Sequence, residues 1–258
     1  MSTNPTTRNL ALFCDFENVA LGVRDASYAA FDIQKVLERL LLKGSIVVKK
    51  AYCDWDRYRE FTRTMHEAAF ELIEIPHVRV SGKNSADIRM VVDALDLCYT
   101  KAHVDTFVII SGDSDFSPLV SKLRENNKVV IGVGVKNATS DLLIANCDEF
   151  IFYDDLVRGA EKQRSKKKKS RKTATKGKTS TAKDKSDEEK QQDAIDLVME
   201  MVEDLFGERG EQEMVWGSMV KQALKRRKPG FSETYHGFRT FGKLLEEAQA
   251  RKLLELEL

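Results

Sequence analysis

Between Leu10 and Tyr153, short apolar runs alternate with longer stretches whose apolar positions recur every three or four residues. Leu10 to Cys14, Ile46 to Cys53, Leu72 to Val78, Thr106 to Ile110, Lys128 to Val133 and Glu149 to Tyr153 are the short runs, rich in β-branched and aromatic residues, and they read as strands. From Phe31 to Leu42 the apolar positions 33, 36, 37, 40 and 41 form one helix face, stopped by Gly44. Helices are also expected from Trp55 to Phe70, Ala86 to Lys101, Phe116 to Asn126 and, briefly, Leu142 to Ala145. Strands that alternate with helices imply βαβ units, hence an α/β fold with a mostly parallel sheet covered on both faces.

The pattern stops at Gly159. Lys166 to Lys178 holds eight basic residues and no acids, mixed with Ser, Thr and Gly, and residues 159–190 read as a basic disordered linker. Periodicity resumes with Ile195, Val198, Met199, Val202, Leu205 and Phe206, closed by Gly207. Val215 to Arg226 and Tyr235 to Arg251 give two more helices, and Leu253 to Leu258 alternates like an edge strand. Three helices and a terminal strand make a small winged-helix-like module at 191–258, after an α/β domain at 1–158.

Composition narrows the class. No apolar run among the 258 residues is long enough to span a membrane, and Met1 to Asn9 lacks the apolar core of a signal peptide. Cys14, Cys53, Cys98 and Cys147 are far apart, with no Cys-x-x-Cys pair, so reduced thiols in a cytoplasmic protein are expected rather than zinc or disulfides. Net charge is +1, but residues 159–190 hold 13 of the 42 basic and 5 of the 41 acidic residues; the remainder carries 29 against 36, a net −7. General attraction for nucleic acid therefore sits in the linker, and the acidic domains must rely on local chemistry. No Gly-Lys-Ser/Thr phosphate loop is present, and Gly132-Val133-Gly134 lacks the third glycine of a dinucleotide fingerprint.

The chemistry centres on Ser111-Gly112-Asp113-Ser114-Asp115-Phe116, after the apolar run Thr106 to Ile110. Two carboxylates so close raise each other's pKa unless a cation intervenes, and a hard ion such as Mg²⁺ or Mn²⁺ prefers oxygen ligands. Taken alone, the segment is better explained as an acidic helix cap. Asp15, at the end of the first strand, tips the balance. In a parallel sheet the strand ends share one edge, and the first and fourth strands are expected as neighbours at the switch in strand order. Asp87 starts a helix fed from the same edge, after the polar loop that contains Lys83. Asp15, Asp87, Asp113 and Asp115 are thus expected to converge from three loops around one or two Mg²⁺ or Mn²⁺ ions, with Asn18 nearby. Asp93, six residues beyond Asp87, is turned away by the helix. Arg57, Arg59 and Arg63 with Trp55 and Tyr58 offer a nucleic-acid groove or, more simply, a solvated face over sheet-covering aromatics.

Leu12 to Asn18, Ser85-Ala86-Asp87-Ile88 with Val91 to Leu95, Val108 to Phe116, Ser140 to Leu143 and Cys147 to Phe150 together resemble the NYN family of the PIN-like nuclease superfamily, including its LabA-like bacterial members. The resemblance covers residues 10–157 and implies a PIN-like α/β/α sandwich and metal-dependent RNA cleavage. It implies that Asp15, Asp87, Asp113 and Asp115 ligate the metal or activate water, and that Asn18 and Ser111 position phosphate or a ligand. Lys83, in the loop before Asp87, contacts a scissile phosphate or is simply a loop residue. Val215 to Arg226, Pro229-Gly230-Phe231, Tyr235 to Phe238 and Phe241 to Leu245 resemble the LOTUS (OST-HTH) domain, which implies RNA binding. Lys221, Lys225, Arg226, Arg227 and Lys228 form the basic helix end that would grip phosphates. The expected protein is a Mg²⁺- or Mn²⁺-dependent ribonuclease with RNA as partner and no membrane. The alternative is a non-catalytic RNA-binding regulatory adaptor. Homo-oligomerisation is left open.

Overall fold

The computed structural model describes residues 8–28, 30–75, 85–158, 183–209 and 215–256. It divides into two units, Met1–Val157 and Arg158–Leu258. The first unit runs β1 (Arg8–Asp15), α1 (Phe16–Asp25), α2 (Ile33–Leu41), β2 (Gly44–Cys53), α3 (Arg59–Glu67), β3 (Glu71–Glu74), α4 (Ser85–Thr100), β4 (Thr106–Ile110), α5 (Ser117–Glu125), β5 (Val129–Gly134), α6 (Asp141–Asn146), β6 (Glu149–Phe152) and α7 at 153–158. Single turns of 3₁₀ helix occupy Ser114–Phe116 and Lys136–Ala138.

The six strands form one parallel sheet in the order β3-β2-β1-β4-β5-β6. β1 lies at the centre, paired with β2 on one side and β4 on the other. Period-two geometry sends its residues to two cores. Leu10, Leu12 and Cys14 join Phe16, Val19, Val36, Leu40 and Met65 from α1 to α3. Ala11 and Phe13 join Met90, Ala94, Leu119, Leu123 and Leu143 from α4 to α6. Val108 and Ile110 of β4 face the first group, Phe107 and Ile109 the second. Both faces are covered, so the central strands read as unbroken apolar runs rather than alternating ones. This is the expected α/β sandwich. The switch falls between β1 and β4, where winding reverses and the helices move to the other face.

The structure departs from the sequence pattern in instructive places. α1 has no counterpart among the expected helices; its buried face includes Gly22, a residue that weakens a helical signature. A Cβ at Gly22 would lie 3.0 Å from the Ala138 Cβ, so the glycine lets α1 pack tightly on the turn after β5. α3 starts at Arg59, after a turn at 55–58. β3 ends at Glu74, and positions 76–78 of the expected strand, with Lys83, lie outside the described residues.

A charged network fastens α4 to the sheet. The Asp93 carboxylate accepts hydrogen bonds from Tyr52 Oη at 2.9 Å, Lys50 Nζ at 3.1 Å and Arg89 Nε at 3.0 Å. Burial alone would raise this carboxyl, but the donors and their positive charges hold it below the usual range. Asp93 therefore faces the sheet, not the strand ends, as its spacing from Asp87 predicts.

In the second unit α8 (Lys183–Arg209), α9 (Gly217–Arg227) and α10 (Phe241–Ala250) enclose a core of Ile195, Val198, Val220, Leu224, Phe238 and Leu244. α8 begins inside the stretch 159–190 read as linker. There Glu188 to Gln192 are good helix formers, and the charge density masked them. α10 starts at Phe241 rather than Tyr235, because Gly237 takes φ of +88° and Thr240 caps the helix by accepting from the Lys243 N–H at 3.2 Å. Residues 253–256 form no strand: no other strand is found among the described residues of this unit to pair their backbone groups.

Asp93→Ala is expected to lower the unfolding free energy by about 3 kcal/mol, because it leaves the buried Tyr52 hydroxyl without its acceptor and Lys50 with only the more distant Glu71. Tyr52→Phe is expected to cost about 1 kcal/mol. Urea denaturation followed by tryptophan fluorescence measures both; equal, negligible losses would show the network to be dispensable.

Candidate active site

β1 and β4 end side by side, Cys14 opposite Ile110, so their next residues share the carboxyl edge at the switch point. Asp15 ends β1 and caps α1: its Oδ1 accepts the Asn18 N–H at 3.3 Å. Its Oδ2 accepts the Ser111 hydroxyl at 2.9 Å. The same hydroxyl accepts the Asp113 N–H at 3.2 Å, and Asp113 Oδ1 accepts the Asp115 N–H at 2.9 Å. Asn18 Oδ1 closes the loop by accepting the Gly112 N–H at 2.8 Å. Gly112 has to be glycine for space: a Cβ there would lie 2.1 Å from the Ala138 carbonyl oxygen. The expected neighbours Asp15, Asn18, Ser111 and Asp113 are therefore joined in one hydrogen-bonded chain.

Charge sets the character of this edge. Asp15 is 8% exposed, and burial, followed by the nearby Asp87, raises its pKa to about 7 against the pull of its Ser111 and Asn18 bonds. Asp87, in the first turn of α4, is raised by burial and then by Asp113, Asp115 and Glu17. Four aspartates from β1, α4 and the turn after β4 thus act on one another. They do not close up into a ready-made cage: among the described residues no three His, Cys, Asp or Glu groups stand close enough to ligate one ion directly. The donor set is nonetheless all carboxylate, and the ionisation of Asp15 and Asp87 is opposed by their neighbours. That chemistry fits a hard divalent cation that keeps part of its water shell.

Several expected contacts fall elsewhere. Ser111 is fully buried, so its hydroxyl, engaged by Asp15 and Asp113, serves the acids and does not face substrate. Arg57, Arg59 and Arg63 pair with Glu17, Asp56 and Glu67 at 3.2, 2.8 and 2.9 Å, and Trp55 is buried against Phe16, which leaves the solvated-face reading. Glu17 was not singled out by sequence reasoning, although it stands two residues after Asp15; it adds a fifth carboxylate to the edge. In the second unit Lys221 pairs with Glu233 at 2.7 Å, and Arg227 pairs with Glu200 and Asp204. Lys225 is half-buried near Glu233, while Arg226 and Lys228 are exposed. All four cysteines are free and buried, and no helix among the described residues is long and apolar enough to cross a membrane.

An all-parallel sheet with acids at the β1/β4 switch defines an α/β protein of PIN-like type. Residues 9–154 match the NYN domain, and the chain belongs to that family, within the PIN-like nuclease superfamily. Membership supports a nuclease-like function. The uncharacterised protein MJ0482 of Methanocaldococcus jannaschii is 28% identical over 138 residues, which cover 53% of this chain and 54% of that protein; the chain thus spans about half the length of its curated relative. The crystal structure of a protein of unknown function, VPA0982 of Vibrio parahaemolyticus, is similar with a TM-score of 0.53 and 28% identity, over 60% of this chain and 98% of that one.

Because the folded pKa of Asp15 lies above its ordinary value of 3.8, its contribution to stability is complete below about pH 4 and is lost as pH rises through about 7. In EDTA, the loss is expected to be on the order of 4 kcal/mol at ~1.4 kcal/mol per pKa unit. Asp15→Asn is expected to flatten that limb. Chemical denaturation from pH 4 to pH 8 checks this; an identical slope in the variant would contradict the assignment.

Proposed function

We propose that this chain is a Mg²⁺- or Mn²⁺-dependent ribonuclease whose NYN unit hydrolyses RNA phosphodiesters and whose C-terminal unit holds the RNA. The observation that carries the reading is the meeting of Asp15, Asp87, Asp113 and Asp115 at the β1/β4 edge, with Asp15 and Asp87 both raised. A divalent cation held there supplies a Lewis acid for the phosphate and a water of lowered pKa. The protein's part is to hold these oxygens in place. Ser111 and Asn18 fix the Asp15 and Asp113 loops against each other, and Gly112 lets the turn after β4 lie directly on the Ala138 carbonyl. Asp113 and Asp115 stand on a short turn ahead of α5, and with Asp15 and Asp87 they are the residues that would hold the ion.

The C-terminal unit is read as a LOTUS (OST-HTH) RNA-binding domain. Arg226 and Lys228, at the exposed end of α9, are the phosphate contacts, with Lys225 beside them; Lys221 and Arg227 are spent on internal ion pairs. A connection rich in lysine would keep substrate near the nuclease unit and raise its local concentration. The adaptor reading is favoured by one observation: the acids form no direct three-ligand cluster as they stand. RNA, a cytoplasmic setting and any association of copies belong to the same proposal.

Labelled single-stranded RNA incubated with Mn²⁺ is expected to be cleaved by the wild type and roughly 100-fold more slowly by Asp113→Asn. Equal cleavage by both would remove the site, and binding without cutting in either would leave the adaptor. For the second unit, Arg226→Glu with Lys228→Glu is expected to weaken RNA binding regardless of sequence and to reduce the salt slope by roughly 1 or more. Fluorescence anisotropy at several KCl concentrations measures it.

A further inference from the structure

The segment after β2 rises from the same carboxyl edge as the acids, because Tyr52 of β2 pairs with Asp15 of β1. A turn forms there, closed by the Arg57 N–H on the Asp54 carbonyl at 3.1 Å. Two sets of contacts hold it. Trp55 donates its backbone N–H to Glu74 and its ring N–H to the Ile73 carbonyl, both at 3.2 Å. Phe16, the residue between Asp15 and Glu17, is fully buried against the rings of Trp55, Tyr58 and Phe61, whose centroids lie 5.1, 5.6 and 5.1 Å away. The backbone that carries Arg57 is thus packed directly onto the backbone that carries two of the acids. Arg57 also differs from the other arginines of this face. Arg59 and Arg63 pair with Asp56 and Glu67, three and four residues away on their own segment. Arg57 reaches across 40 residues to Glu17 on α1, through Nη1 at 3.2 Å. Its other N–H groups have no acceptor among the described residues, and its side chain is 52% exposed. Glu17 in turn is one of the carboxylates that oppose the ionisation of Asp87.

We propose that Arg57 is a phosphate-binding residue of this site, gripping the phosphodiester next to the scissile one. The inference rests on the ribonuclease reading and adds what that reading lacks, a way to seat a polyanion on an edge of five carboxylates. A divalent ion at the four aspartates answers the scissile phosphate, but the next phosphate along the RNA would meet Glu17. Arg57 neutralises Glu17 and offers its open Nε–Nη2 side, a planar fork that matches two phosphate oxygens. The face around Arg57 is solvated, and that is what lets a phosphate reach it. Because Arg57 binds Glu17 and none of the four aspartates, it serves the flanking phosphate and not the scissile one. Glu17 keeps the guanidinium ordered before RNA arrives, which lowers the entropy cost of the contact.

The test uses the full chain and a short single-stranded RNA. Binding is followed by anisotropy in Mn²⁺ at several KCl concentrations, with Asp113→Asn in every chain so that the RNA survives; cleavage is measured separately with Asp113 intact. Arg57→Ala is expected to weaken binding about tenfold and to lower the salt slope by about 0.7, the loss of one single-strand phosphate contact. Arg57→Lys is expected to keep the slope and recover only part of the affinity, since lysine binds phosphate as a point charge. It also keeps a cation beside Glu17, so its shortfall does not come from an unpaired acid. Arg59→Ala is expected to change neither quantity. In cleavage, Arg57→Ala is expected to raise KM about tenfold with kcat unchanged. It is expected to melt within about 3 °C of the wild type, because an exposed ion pair contributes little. Unchanged affinity and slope overturn the contact and leave the ribonuclease. Equal slope losses in Arg57→Ala and Arg59→Ala overturn it as well, by reducing it to general attraction. A fall in kcat with KM unchanged moves Arg57 to the scissile phosphate and overturns the flanking assignment. Binding that depends on Arg57, without cleavage, keeps the contact and removes the ribonuclease. Absence of RNA binding removes both.

Discussion

The hydrogen bond from Ser111 to Asp15 joins residues 96 apart in sequence and fixes everything at the carboxyl edge. Asp15 has three duties: it ends β1, caps α1 and receives Ser111. Since the Ser111 hydroxyl also receives the Asp113 N–H, the second acid is positioned by the first. The geometry of the site is therefore a corollary of β1–β4 register. A slip of one residue would turn Asp15 or Ser111 to the opposite face. The arrangement is costly, because an ionised carboxylate this deep without a cationic partner opposes folding. The two apolar cores on either side of the sheet offset it.

Two aspartates show how partner choice separates scaffold from site. Asp93 and Asp15 are both largely buried, and both accept a hydroxyl. Lys50 and Arg89 stand beside Asp93, so its charge is welcome and it ties α4 to β2. Asp15 has Asp87 and Asp113 for neighbours, so its charge is opposed. A fold gains nothing from the second arrangement, which is why strained titration marks functional sites more often than satisfied titration does. α4 carries one of each kind: Asp93 seats the helix, and Asp87 rides on its first turn at the sheet edge.

The sheet was legible because its strands are buried on both faces. Thr106–Ile110 needed only its unbroken apolar run, and the parallel order followed from helix-length spacers. That the ends of β1 and β4 share one edge was legible too, since a parallel sheet delivers strand ends to one side. Other features were hidden for physical reasons. α1 owes its existence to a cap and a tightly packed Gly22, features that weaken rather than mark a periodic pattern. The ion pairs that occupy Lys221 and Arg227 join α9 to residues on α8 and on the turn before α10, which composition cannot show.

The strand order also governs how the chain assembles as it is made. β1 meets β2 about forty residues later, but its other edge waits for β4, and the helices of the second face come with α4 to α6. An early half-sheet β3-β2-β1 would therefore end in Leu10–Cys14, an apolar strand with unpaired backbone groups and one bare face. Such an edge invites pairing with other chains, and long-range parallel pairing forms slowly. Docking of β4 both buries that liability and creates the acidic edge, so an incompletely folded chain carries neither half of the site in working order.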